Sequence, residues 1–333
     1  MAELSRRLPE LSDDAALVSL RGIAASIGDG HTFVVAPPRP KLPAEFCWFG
    51  EELTVIRAAA AQRALIGARI TAIGDHPAAA VQGRLQGLIP QGENQGYILA
   101  RSVELMREPQ VLAALGIAPV FHCVDAGGRE SVTTLAADEA PLLTAEAAPL
   151  SMQRMAEPFW FSRLADQDAV YVQFRSYDGL EANAGRLFET LAQRPADRLV
   201  VDLRQNGGGN FLAGRQWLLV PIELLGLVDG QLFVLVGRRT FSASMVNAID
   251  FHRETEAILV GEPIGARPHG YQENGWFTLP ASGLRVSAAT RLYRFGAEQD
   301  VTFQPDQRID MTRADFIAGR DPVLQWALGA AGP

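Results

Sequence analysis

The sequence predicts an α/β protein: a layered core of mostly parallel strands in the second half, preceded by a smaller β-rich unit. Three observations carry this. Residues 169–174 and 198–203 read as strands around a helix with Leu180, Ala184, Leu187, Phe188 and Leu191 on one face, a βαβ unit. Residues 232–236 and 257–261 are continuous apolar runs, as strands buried on both faces require, and they bracket a helical segment from Ser242 to His252. Residues 53–57, 68–73 and 120–124 are short and alternate, like strands of a small half-open sheet.

From the N-terminus, Leu17, Leu20, Ile23, Ala24 and Ile27 fall at helical spacing, and Gly28-Asp29-Gly30 ends that helix. Residues 31–35 then read as a strand, which puts His31 at a turn-to-strand junction. Pro37, Pro38, Pro40 and Pro43 make a stiff connector and a first boundary. Pro77 suits the first turn of a helix with Val81, Leu85, Leu88 and Ile89 on one face. Residues 136–155, with Pro141 and Pro149, read as a linker. The expected domains are therefore 1–40, 41–145 and 146–333.

Composition narrows the function classes. With 333 residues, 48% of them hydrophobic, the chain can bury two cores. Its 30 Lys+Arg against 38 Asp+Glu give a net charge of −8 with no basic stripe, so nucleic acid is not an expected partner. Cys47 and Cys123 allow at most one bridge, and no His-Glu-x-x-His or Cys-x-x-Cys spacing occurs, so neither a metal nor a cofactor is expected. Apolar stretches stop short of the roughly 18 residues of a spanning helix. The first ten residues carry no apolar signal core. No membrane segment and no export signal are read in the chain as written.

Three features point to chemistry. Ser242 follows a buried strand and opens a helix, where free N–H groups and the positive dipole end would stabilise an oxyanion beside a nucleophile. A serine there is also an ordinary N-cap. The run Asp202-Leu-Arg-Gln-Asn206-Gly207-Gly208-Gly209 ends another buried strand. It lacks the lysine and the spacing of a phosphate loop, so an oxyanion hole facing Ser242 is the more economical reading beside that of a tight turn. His31, between Gly30 and Thr32, is suited as a neutral imidazole to take a serine proton. His252 and His269 compete with it for that role.

Taken in order, these pieces resemble the tail-specific or C-terminal processing serine peptidases, in their tricorn-core-like branch. The motifs are Gly67-Ala-Arg-Ile-Thr-Ala-Ile-Gly-Asp-His-Pro77, the triple-glycine run, Thr240-Phe-Ser-Ala-Ser244, Val260-Gly-Glu-Pro-Ile-Gly265 and Gln304-Pro-Asp306. The resemblance implies a small PDZ-like domain before a crotonase-like catalytic core. It places Ser242 as nucleophile, and Ala243 N–H with Gly208 or Gly207 in the oxyanion hole, Gly208 first. One branch uses a lysine base at about the position of Arg267, and arginine cannot serve there. The tricorn-like branch takes its base from the position of His31, oriented by an acid for which Glu298 and Asp300 both stand before Pro305. Arg267 and Asn206 are the expected substrate contacts. Met245 departs from the family, which commonly has glutamate three residues after the nucleophile.

The expected function is peptide-bond hydrolysis by Ser-His acyl transfer on extended or C-terminal peptides, with a peptide or protein substrate as partner. A degenerate peptide-binding protein and a crotonase-type acyl-CoA enzyme remain as alternatives on the same fold. Relatives of this family are commonly exported.

Overall fold

A computed structural model describes residues 2–226 and 231–329. They form two compact units. The first comprises the chain to Ala148 with Gly270–Tyr293 and Thr312–Ala318; the second comprises Pro149–His269, Arg294–Met311 and the chain from Gly319.

In the first unit the helix Asp13–Ala25 starts where Ser12 Oγ accepts the Ala15 N–H at 3.3 Å, with Asp13 and Asp14 favourably placed at the positive dipole end. It buries Leu17, Ala24 and Ala25. The strand after it is Phe33–Val35, two residues later than the apolar pattern indicates, so His31 and Thr32 stay in the turn. The main sheet runs Ala44–Phe49, Glu52–Ala59, Arg69–Ile73, Val120–Val124 and Glu130–Thr134, each antiparallel to the next. Phe46 and Phe121 stack in its core at 5.5 Å. Ala78–Gln86 is the helix expected after Pro77; it stops at Gln86, so Leu88 and Ile89 lie beyond it.

The proline-rich stretch and the expected linker are stitched into this unit. Leu42 is fully buried and donates its N–H to Arg107 O at 2.8 Å. Lys41 bridges Asp138, and Leu142–Thr144 pairs with Glu52–Ala59. The reason is conformational: prolines hold the backbone extended, which is also the shape that adds to an open sheet edge. The helices Gln95–Leu105 and Pro109–Ala114 and the hairpin His269–Thr278 with Arg285–Arg294 are elements that the pattern reading leaves unassigned. From that hairpin, Arg285–Arg294 pairs antiparallel with Phe33–Val35, Ser287 opposite Phe33.

The second unit is a six-stranded sheet in the order Gln307–Arg308, Ile258–Gly261, Leu232–Val236, Arg198–Asp202, Ala169–Phe174 and Phe159–Leu164. All neighbours are parallel except the last pair. Alternate residues enter two cores. Val170, Val172, Phe174, Val234 and Val236 pack under the helices Leu180–Gln193 and Ala243–Glu254, while Tyr171, Phe233 and Leu235 pack against Val323 and Leu324 of the C-terminal helix. Both faces are covered, hence the unbroken apolar runs. Each leucine so buried contributes about 1.5–3 kcal/mol. No disulfide joins Cys47 and Cys123. Among the described residues no helix is long and apolar enough to cross a membrane.

A buried ion network anchors the strand that leads to the triple glycine. Arg204 binds Asp202 at 2.6 Å and Asp321 at 2.8 Å, Tyr171 donates to Asp202 at 2.6 Å, and Ser151 donates to Asp321 at 3.0 Å. Burial would push the Asp321 carboxyl up; the Arg204 charge and the bonds from Arg204, Leu324 N–H and Ser151 outweigh it and hold the group below its ordinary value. Arg204→Met should therefore destabilise the protein by about 3–5 kcal/mol at neutral pH, because two buried carboxylates lose their cation. The loss should shrink as pH falls: unpaired carboxylates titrate above their unfolded value and become neutral first in the variant, whereas wild-type Asp321 stabilises the fold above its unfolded pKa and gives that up on acidification. Urea unfolding at two pH values measures both effects.

Candidate active site

Ser242 sits between the strand Leu232–Val236 and the helix Ala243–Glu254 with φ 56° and ψ −124°, a left-handed conformation that costs a non-glycine residue about 1–3 kcal/mol. Its neighbours hold it there. Thr240 Oγ1 donates to Leu203 O at 2.9 Å and accepts the Gly237 N–H at 3.0 Å. Ser244 Oγ donates to Asn206 O at 2.6 Å and accepts the Phe241 N–H at 2.9 Å. Both hydroxyls are fully buried. Thr240 and Ser244 are thus pins between the serine turn and the loop after Asp202, and Ser242 does not cap the helix it opens. The N-cap reading of Ser242 does not hold, and the serine beside it is structural.

The triple-glycine loop abuts this turn. Gly208 has φ +105°, and a Cβ on it would lie 2.8 Å from Phe241 O and Ser242 Cβ and 3.1 Å from Ala243 N. Gly208, Ser242 and the first N–H of the helix are therefore packed together. The Gly208 N–H is donated to Asn206 Oδ1 at 2.9 Å, so the oxyanion donor expected first from this residue is already engaged. Gly207 and Gly209 are exposed beside it.

Asn206 is fully buried, and its amide is used at both ends, donating from Nδ2 to Phe174 O at 3.0 Å and accepting from Gly208. It shapes the glycine loop. Arg267 is half-buried and donates to Glu298 O at 3.3 Å, while Phe295 N–H bonds Pro268 O, which joins the segments carrying Arg267 and the two candidate acids. Asp300 Oδ2 accepts the Ala297 N–H and closes its own turn; Glu298 is exposed. Met245 is fully buried in the core under the helix. Asp306 accepts the Leu259 N–H at 2.8 Å and lies 3.4 Å from His252 Nδ1, which places His252 at the far end of the Ser242 helix.

His31 belongs to the first unit and is 5% exposed. Burial lowers its pKa against an opposing pull from Asp29, which favours the neutral ring. Its turn is bonded throughout. Asp29 accepts the His31 N–H at 3.1 Å and the Thr32 hydroxyl at 2.8 Å, Glu93 accepts the Gly30 N–H at 2.9 Å, and Tyr97 donates to Gly30 O at 3.3 Å. Asp29, Glu93, Asn274 and Ser287 are residues that sequence reasoning missed. Only Asp29, two positions from the histidine, carried a local signal.

No family model matches the sequence, and no curated protein matches it. Solved structures do. Mature CPAF complexed with lactacystin aligns at a TM-score of 0.66 and 9% identity over 98% of this chain and 90% of that one. A serine-to-alanine mutant of CPAF aligns at 0.65 and 11% identity over 100% and 92%. The chain has the CPAF fold. At these identities the likeness is one of fold. A photosystem II D1 C-terminal processing protease aligns at 0.44 with 17% identity over 89% of this chain and 82% of that one, and other matches are named as S41 and tricorn proteases.

Gly208→Ala should destabilise the protein by more than about 1 kcal/mol, since a Cβ meets backbone and the φ is unfavourable to any L side chain. Ser244→Ala should cost about 1–3 kcal/mol by leaving Asn206 O and the Phe241 N–H short of a partner. Thermal melts of the two variants check both.

Proposed function

We propose that the chain is a serine peptidase built as a crotonase-like core with a PDZ-like unit within residues 41–145, and that it cleaves extended or C-terminal peptides. The observation that carries this is the strained, doubly pinned Ser242 at the start of a twelve-residue helix, packed against a glycine loop. A serine used only as a cap needs no left-handed backbone. Ser242 Oγ attacks the scissile carbonyl while its proton passes to the His31 ring; the C–N bond breaks as His31 returns that proton to the leaving amine, and water then releases the acyl group by the same route. Ala243 N–H supplies one oxyanion donor. The second comes from Gly207 or Gly209, because the amide of Gly208 is engaged. Glu298 orients His31 in preference to Asp300, which closes its own turn. Arg267 contacts substrate.

Met245 favours a second reading, a peptide-binding protein that does not hydrolyse, since an apolar core side chain stands where the resembling family commonly has a glutamate. A fluorophosphonate probe separates the two. On the peptidase reading it labels Ser242, Ser242→Ala abolishes labelling without unfolding, and His31→Ala slows it by several orders of magnitude while His252→Ala and His269→Ala do not. Labelling should fall on the acid side with a midpoint below the ordinary imidazole value of 6.5, because burial lowers the His31 pKa and only the neutral ring accepts a proton. A folded wild type that binds peptide and is never labelled supports the binding protein instead.

A further inference from the structure

We propose that Ser287 and Asn274 are positioning residues for His31, clamping its carbonyl from the hairpin strands His269–Thr278 and Arg285–Arg294; this rests on the reading of His31 as the general base. Ser287 Oγ donates to His31 O at 2.6 Å, and Asn274 Nδ2 donates both to Ser287 Oγ at 2.6 Å and to His31 O at 3.3 Å. Ser287 is fully buried. The clamp continues one residue on, where Thr32 Oγ1 accepts the Ala289 N–H at 3.1 Å while donating to Asp29.

His31 needs such a clamp because it lies before the strand begins. Ladder pairing with that hairpin runs from Phe33 opposite Ser287, so His31 precedes the paired residues. A carbonyl in a turn that follows Gly28 and Gly30 has conformational freedom to lose, and the ring with it. Two side chains from strands more than two hundred residues later in the chain fix it. Glu273, next to Asn274, has φ 61°, a left-handed backbone conformation within its strand. Charged and titratable groups bonded to the turn include Asp29 within it and Glu93 and Tyr97 from the segment beyond.

The clamp predicts a signature different from simple destabilisation. Ser287→Ala removes the shorter bond and should slow fluorophosphonate labelling of Ser242 between about 10- and 100-fold, as a misplaced reacting group does, with probe affinity unchanged within about two-fold. Ser287→Thr keeps the hydroxyl and should restore labelling to within a few-fold of wild type. Asn274→Asp puts a carboxylate beside the His31 carbonyl and should move the imidazole titration, followed by NMR of the ring, to higher pH, because a nearby negative charge favours imidazolium. The NMR titration reads His31 whether or not it is the base. If His31→Ala labels normally, the catalytic reading falls while a shifted titration in Asn274→Asp still upholds the clamp. Labelling unaffected by Ser287→Ala together with an unmoved His31 titration in Asn274→Asp would overturn the clamp. Should Ser287→Ala fail to fold, the Asn274→Asp titration decides alone.

Discussion

The arrangement around Ser242 depends on two buried hydroxyls. A serine at φ 56° relaxes unless its flanking residues are fixed, and Thr240 and Ser244 fix them by reaching into the loop that follows Asp202. That loop is itself held at both ends, by the Arg204 network at its base and by Asn206 within it. Two consecutive strand exits of the parallel sheet are thereby tied into one rigid piece. Strain at a single residue persists only where the surroundings over-determine it, and here four buried side chains do so.

The same logic governs the first unit with different means. His31 sits in a turn held by Asp29 within it and by side chains from elsewhere: Glu93 and Tyr97 from one segment, Ser287 and Asn274 from another. Gly28 and Gly30 make the turn permissive, and the side-chain bonds take that freedom away. Burial also lowers the pKa of the ring, so conformation and the tendency to stay neutral come from one environment.

The polar residues of the motifs divide by burial. Thr240, Ser244 and Asn206 are the sealed ones and are structural; Ser242 alone in its motif combines partial exposure with a strained backbone. Motif membership could not make that division, because Thr-Phe-Ser-Ala-Ser presents three hydroxyls of equal chemical standing. Met245 marks where the resemblance is weakest, and its position is that of an ordinary core residue facing the sheet.

What the amino-acid sequence determined by itself is what depends on local periodicity. The βαβ rhythm, the apolar strands, the helix opening at Ser242 and the turn carrying His31 all follow from residue spacing, and the structure has them within a few positions. Partners brought together across the chain were decided only by tertiary structure. The Gly208 N–H turns to Asn206 Oδ1. The proline-rich stretch and the segment near 142 become sheet because an open edge was there to receive an extended chain. Ser287 and Asn274 meet His31 only because a hairpin from late in the chain returns to pair with Phe33–Val35. Hydrogen bonding of this kind is set by which backbone groups remain unsatisfied once the strands have paired, and no window of neighbouring residues contains that information.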